Sequence, residues 1–368
     1  MQVDQRPNPD FAGESLSGSI DLSCPMIALA EPQALEASRG ATGAKRWRGL
    51  GRLLSFFVFQ GIVLISLQAV ITAGLWRIKT SAFGASNRIM SGTVNADVVV
   101  TGSSRAMLQY DPRAIEAATG LSAFNLGRNG SQTDMQVAFF KAYLNHNRRP
   151  KIVIHNLDAF SFVTSREIFD AAQYMPYLSD PAIYAASEKI NSKTWRSRYI
   201  PLYGYVVEDM NFTWLRGLAG FFGWTPREDF FLGFNPRHTI WTGDFEKYRE
   251  DHPQGVRFAI EPEGVRDMED LAQTCKENGI QLIYVYAPEY SEMQELTANR
   301  AEIFAQFDRL SDRFGIPIWD FSGWKHNSDK SYFYNSQHLN ARGAEAFSSD
   351  LAVRLKEYLA AHPDGRTR

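Results

Sequence analysis

The run from Leu53 to Trp76, LLSFFVFQGIVLISLQAVITAGLW, is 24 residues long and carries no charge. A helix rises about 1.5 Å per residue, so the run reaches about 36 Å, enough to cross a hydrocarbon core of about 30 Å with some tilt. Core helices of soluble domains are seldom that long without a charged residue, so the pattern predicts a membrane span. Lys45, Arg46, Arg48 and Arg52 precede the run, whereas only Arg77 and Lys79 follow it closely. By the positive-inside rule the N-terminus is then cytoplasmic and the bulk of the chain is exported. Thr72, Ala73 and Gly74 close the run with small residues, as a cleavage site would. A signal h-region is only about 7–15 residues long, however, so an uncleaved anchor is the expectation.

Downstream, β-branched and helical patterns alternate. Asp97–Thr101 (DVVVT) reads as a buried strand that stops at Gly102; Asp111-Pro112 is an N-cap followed by a first-turn proline, and Gly120 ends that short helix. Ser122–Leu126 is a second strand, a helix follows from about Asp134 to Asn145, and Lys151–Leu157 (KIVIHNL) is a third strand. From about Phe160 to Gly255 the period is lost among Tyr, Trp, Phe and Pro, which reads as an inserted helical or irregular subdomain. The alternation resumes with a helix near Gly264–Asn278, a strand Gln281–Tyr286, a helix near Glu295–Phe314, a strand Ile316–Asp320 and a last helix from Ala341 to about Leu359. The expected fold class is therefore α/β: a flavodoxin-like three-layer arrangement with a parallel sheet of about five strands, plus the N-terminal span and an aromatic-rich insertion.

Composition divides the chain further. Residues 1–44 hold six acids, two bases and scattered Pro and Gly, the pattern of a disordered tail on the cytoplasmic side; residues 45–80 are the basic collar and span, and 81–368 the extracytoplasmic domain. Over all 368 residues, 39 Lys plus Arg against 41 Asp plus Glu give a net charge of −2, so bulk charge offers no reason to expect nucleic acid. The two cysteines, Cys24 and Cys275, exclude a disulfide framework. Cys24, in Leu-Ser-Cys, lacks the basic segment and apolar run that precede a lipoprotein site. His155, His238 and His326 have no metal-ligand spacing, and there is no phosphate loop or dinucleotide fingerprint, so neither metal nor cofactor is expected.

In an open α/β sheet the ligand site lies beyond the carboxyl ends of the strands. After the first strand stands Gly102-Ser103-Ser104-Arg105, where a serine on a tight strand-to-helix turn is presented beside backbone N–H groups. After the second comes Asn125-Leu126-Gly127-Arg128-Asn129-Gly130, after the third His155-Asn156-Leu157-Asp158, and before the last helix Asn335-Ser336-Gln337-His338-Leu339-Asn340-Ala341-Arg342-Gly343. Glu289, after the fourth strand, stands at the same edge, where it can contact substrate or start a helix. Trp195, Tyr203, Trp214, Trp224 and Trp241 in the insertion fit either core packing or a glycan-stacking wall.

Taken together, these blocks resemble the SGNH/GDSL hydrolase superfamily, over roughly residues 95–160 and 280–360. The likeness is to single-span bacterial members with a Gly-Ser-Ser-Arg turn, akin to the teichoic-acid D-alanylation and alginate O-acetylation proteins. The resemblance implies Ser104 as nucleophile, His338 as base, and Gly130 as an oxyanion donor. It implies a third donor after the third strand, for which Asn156 and Asp158 are nearest. The chain departs from the pattern where Asn335 replaces the aspartate of Asp-x-x-His. Asparagine can accept the imidazole N–H but brings no negative charge, and the corresponding change in a serine-protease triad costs about 10⁴ in turnover, largely through the wrong tautomer. Activity then rests on a weakened triad, on a Ser104–His338 dyad, or on a carboxylate borrowed from Asp320 or Asp329; loss of activity is the remaining outcome.

Two functions follow. The first is a membrane-anchored extracytoplasmic serine esterase or O-acyltransferase, with cell-envelope or secreted polysaccharide as substrate and a membrane-embedded acyl-donor or export protein as partner. The second is a catalytically silent scaffold or glycan-binding component of a polysaccharide export or modification complex.

Overall fold

The computed structural model describes residues 35–207, 212–225 and 228–362. The chain divides into two units, Met1–Phe59 and Gln60–Arg368. Helix α1 spans Leu35–Arg77, and Gly49–Arg77 has the length and hydropathy of a membrane span. The expected disordered tail falls outside the described residues up to 34; beyond them, residues 35–44 are helical. The Leu-Glu-Ala start of that stretch is good helix-forming sequence, which the acidic composition of the tail had masked.

Helix α2 (Ser81–Met90) leads into β1 (Val98–Thr101), α3 (Ser104–Gln109), α4 (Pro112–Thr119), β2 (Ala123–Asn125), α5 (Thr133–His146) and β3 (Ile152–Asn156). The insertion then supplies α6 (Pro181–Ile190), α7 (Thr194–Tyr199), α8 (Tyr203–Val207), α9 (Thr213–Phe221) and α10 (Asp244–Asp251). The α/β pattern resumes with α11 (Pro262–Glu277), β4 (Gln281–Tyr286), α12 (Ser291–Leu296), α13 (Arg300–Phe314), β5 (Ile318–Asp320) and α14 (Ala341–Ala361).

The five strands are parallel in the order β2-β1-β3-β4-β5, the doubly wound order in which ligands bind where the strand sequence reverses, beyond β1 and β3. Alternation sorts the side chains between the layers. Val99, Val153 and Leu282 face a core shared with α2, α5, α11 and α13, while Val98, Val100, Ile154 and Ile283 face the opposite core under α14. Every residue of β1 is buried, as a strand covered on both faces must be.

Two boundaries differ from expectation. The helix expected near Glu295–Phe314 is broken into α12 and α13, because a neighbouring loop competes for its backbone. Val256 N–H donates to Leu296 O, Ala298 N–H donates to Val256 O, and the Asn299 amide pairs with both the N–H and the carbonyl of Phe258. Strand β5 begins at Ile318 and not at Ile316, since Pro317 has no N–H to give to a ladder. The cap at Asp111 is as expected: its carboxylate accepts from Arg113 N–H, and Gly120 closes α4 in the left-handed conformation.

Candidate active site

The turn after β1 needs a glycine. Gly102 has φ +144°, and a Cβ there would lie 2.9 Å from both Ala106 Cβ and Asn156 Cβ. Ser103 follows as the N-cap of α3, its hydroxyl accepting from Arg105 N–H. Ser104 is thereby the first residue of the helix, and among residues 101–110 it alone is not buried. A local turn has turned one hydroxyl outward from an otherwise sealed segment.

His338 reaches that hydroxyl from 234 residues away: Ser104 Oγ lies 2.8 Å from His338 Nε2. The loop that carries the histidine is held at both ends. Tyr334 N–H donates to His338 O, Phe333 and Leu339 form an antiparallel bridge, and Asn340 caps α14 through Gly343 N–H while its amide donates to Ser331 O. Gly343 is required because a Cβ there would lie 2.1 Å from Tyr332 O. The Asn and Gly of the His-x-Asn-x-x-Gly block thus position the histidine and do not contact it.

Asn335 holds the far ring nitrogen. Its Oδ1 lies 2.9 Å from His338 Nδ1 and also accepts from the backbone N–H groups of Gln337 (3.1 Å) and His338 (3.0 Å). Those two fixed donors settle which way the amide faces, since the reverse orientation would put its NH₂ against two N–H groups. Nδ1 must therefore carry the proton, and Nε2 is left as the acceptor facing Ser104. The tautomer error that makes Asp-to-Asn costly in a triad is corrected by the backbone of this loop. Neither Asp320, whose carboxylate accepts from Ser322, nor Asp329, which accepts from Ser331 N–H, bonds to the imidazole.

No carboxylate raises the basicity of His338. Desolvation, with the positive charges of Arg105 and Arg237, pushes its pKa down to about 3. The ring is neutral, and competent as a proton acceptor, well into the acid range. Arg237 belongs to the insertion, and its carbonyl accepts from Ala341 N–H at the start of α14. Nothing in the period-free sequence around it signalled that it would come near the histidine.

Behind the serine, Arg105 is buried and stitches two strand ends together. Its guanidinium donates to Asp158 Oδ1 (3.3 Å), Ala287 O (2.7 Å) and Pro288 O (3.2 Å). Burial works against its charge, but the fields of Glu289, Tyr286 and Asp158 hold its pKa above the ordinary value. Glu289 is itself buried and accepts from the Tyr286 hydroxyl, so it serves this interior cluster and not the open edge.

The other expected residues separate into two groups. Gly130 lies beyond the carboxyl end of β2 with φ +65°, exposed, and among the described residues its N–H donates to no protein group. Asn156 is fully buried with its amide engaged: Nδ2 donates to Asp158 Oδ1 (2.8 Å) and Leu157 O (3.3 Å), and Oδ1 accepts from the Tyr110 hydroxyl (2.8 Å). Asp158 is buried too; desolvation raises its pKa against the pull of Arg105. Both side chains brace the strand end: Asn156 has both amide hydrogens engaged, and Asp158 turns Oδ1 to Arg105 and Asn156. Among the described residues no cluster of His, Cys, Asp and Glu could hold a metal ion.

The insertion aromatics also divide. Trp214 packs against one core, and Trp241 against Tyr290 and Phe245, whereas Trp195 and Trp224 are exposed.

No family model matches the chain, and no curated protein matches it. Among solved structures it is similar to a GDSL-like lipase from Bacteroides thetaiotaomicron, at 10% identity over 71% of this chain and 87% of that one, with a TM-score of 0.34. It is also similar to a protein named as an acylhydrolase from Bacteroides fragilis, at 12% identity over 73% of this chain and 88% of that one, again with a TM-score of 0.34.

Proposed function

We propose that the chain is a membrane-anchored, extracytoplasmic serine esterase or O-acyltransferase of the SGNH type that acts on cell-envelope or exported polysaccharide. One observation carries the reading: a half-buried serine on a strand-end turn, the one residue of its segment that is not sealed, hydrogen-bonded to a histidine whose tautomer is fixed for proton acceptance. Ser104 attacks an acyl carbonyl while Nε2 of His338 takes its proton, and the backbone N–H groups of Ser104 and Gly130 receive the developing oxyanion. Collapse of the tetrahedral adduct expels the alcohol, which regains the proton from His338. Water or a sugar hydroxyl then attacks the acyl-serine, giving hydrolysis or transfer.

The anchor is read as uncleaved because its last turns belong to the folded domain. Ile71, Leu75 and Ile78 are buried in the core, so cleavage near Thr72–Gly74 would remove part of it. With the basic residues ahead of the span, the N-terminus is cytoplasmic, and the Ser104 edge works outside the cell membrane beside a membrane-embedded acyl donor or export protein.

The test is labelling of the full-length protein in detergent with a serine-directed fluorophosphonate, wild type against Ser104→Ala. Labelling that disappears in the variant is expected. Equal labelling of both overturns the nucleophile. No labelling of either favours the second reading, a silent scaffold or glycan-binding component, for which the uncharged Asn335 is the supporting observation.

A further inference from the structure

The insertion clasps the apolar helix before its apolar run ends. Gln68 Oε1 accepts from Leu202 N–H (2.6 Å), and Thr72 Oγ1 lies 3.3 Å from the Tyr205 hydroxyl. Gly74 meets α9 so closely that a Cβ on it would lie 1.7 Å from Gly217 O, and a Cβ on Gly217 would lie 2.6 Å from Ile71 O. Arg77 ends the contact by donating to Phe221 O and covering the Phe221 ring. Facing small residues of this kind are how helices pack closely in lipid.

The same segments leave much of their apolar surface uncovered. Beyond α1, thirteen large hydrophobic side chains are exposed among the described residues, and nine of them fall between Trp195 and Trp224. They include Tyr199 (65% exposed), Val206 (72%), Phe212 (62%), Leu215 (49%), Phe222 (70%) and Trp224 (76%). That concentration, in three short helices and the turns that flank them, exceeds what scattered surface hydrophobics explain. Lys193, Arg196 and Arg198 stand beside Trp195 and Tyr199, the mixture of cations and aromatics that suits a helix lying in a bilayer interface.

Length decides where the bilayer must be. Of the charge-free run, only Leu53–Leu67 precedes the first contact with the insertion, at Gln68. Fifteen residues reach about 22 Å at 1.5 Å each, short of a hydrocarbon core of about 30 Å by about 8 Å. Snorkelling by Arg52 recovers part of the difference at the cytoplasmic end. The rest has to come from residues 68 onward, one side of which already packs against Tyr205 of α8 and Gly217 of α9.

We propose that α7, α8 and α9 form an interfacial platform that lies in the outer leaflet beside the span, with their exposed apolar side chains among the acyl chains. The proposal rests on the reading of α1 as an uncleaved membrane anchor and adds a second membrane contact to it. Held at two points, the domain cannot swivel freely on a single helix, and its catalytic edge keeps a set height above the lipid.

The experiment uses full-length Cys24→Ser protein, whose remaining Cys275 is buried, reconstituted in vesicles of phosphatidylethanolamine and phosphatidylglycerol. Nitroxide labels go on Leu215→Cys and Phe222→Cys in the platform, on Leu64→Cys in the span, and on Val353→Cys on exposed α14, with thermal melting as the check on folding. The ratio of oxygen to nickel-chelate collisions is expected to be several-fold higher at positions 215, 222 and 64 than at 353. A lipid-like ratio at 64 with water-like ratios at 215 and 222 overturns the platform and leaves the anchor standing. A water-like ratio at 64 overturns the anchor reading itself. Labels at 215 and 222 shielded from both reagents mean a protein contact there and also overturn the proposal.

Discussion

Two hydroxyl–imidazole pairs lie at the end of β1, one sealed in the interior and one partly open. Thr101 Oγ1 is 2.9 Å from His155 Nδ1, and Ser104 Oγ is 2.8 Å from His338 Nε2. Burial pushes the His155 pKa down to about 3, as desolvation with two arginines does for His338. The differences lie in access and in the third group. His155 and Thr101 are sealed inside the sheet, and His155 Nε2 has no hydrogen-bond partner. His338 is held at its far nitrogen by Asn335 and faces a serine that is only half-buried. A short hydrogen bond between hydroxyl and imidazole is therefore common to a packing contact and to a nucleophile. Orientation by a third group, and a hydroxyl that is not sealed, separate the two.

The sharpest way to break that comparison is to remove one hydroxyl at a time. Ser104→Ala is expected to abolish fluorophosphonate labelling, while Thr101→Val keeps labelling and loses stability by about 1 kcal/mol for the lost hydrogen bond, read from urea unfolding. Loss of labelling in folded Thr101→Val would make the interior pair part of the mechanism. Arg105→Met tests the brace behind the serine. It strands the buried Asp158 carboxylate and is expected to cost about 3–5 kcal/mol in the same assay, whereas an unchanged midpoint would mean that Asp158 is neutral in the wild type.

Asn335→Asp addresses the third group. A carboxylate stabilises the imidazolium, so the variant should raise the His338 pKa and bring the acid limb of the labelling-rate profile up toward neutral pH. The wild type should stay reactive well below pH 6.5. Because the amide already fixes the correct tautomer, any gain in rate should fall far short of the ~10⁴ associated with this exchange in serine proteases. Coincident profiles would show that Asn335 does not govern His338.

A dependence on pH is common to both pairs. Each histidine has a folded pKa of about 3 against an ordinary value of 6.5, so the unfolded chain takes up protons first as pH falls. Stability is therefore full above about pH 6.5 and declines as pH drops toward 3. His338→Gln should flatten part of that decline in urea midpoints measured across the range, and an unaltered slope would place the titration elsewhere.

Much of this was legible before any coordinates. The β-branched runs, the Asp111 cap, the glycine stops and the 24-residue span are local patterns whose physics acts over a few residues, and they predict the alternation, the parallel sheet and the membrane helix. That the Ser104 and His338 blocks meet at the strand ends was legible too, because a ligand site in an open α/β sheet lies beyond the carboxyl ends of its strands. Asn156 and Asp158 were misjudged since sequence gives their order and not their direction. Asn156 ends the third strand and Asp158 follows it, where a donor should stand, yet Tyr110 and Arg105 draw them inward. Arg237 carried no signal, as nothing local fixes a residue whose neighbour is about a hundred positions away.

The sequence by itself determined the layers, the long apolar helix and which segments meet at the carboxyl edge of the sheet, because hydrophobic period and turn chemistry are properties of neighbouring residues. Only the tertiary structure decided that Ser104 and not Thr101 is the accessible hydroxyl, that Asn335 turns its oxygen to the ring, and that the insertion grips the end of the apolar helix. Those outcomes depend on angles and burial between residues far apart in the chain. The sheet and the packing of the helices on it set them, and no local pattern records them.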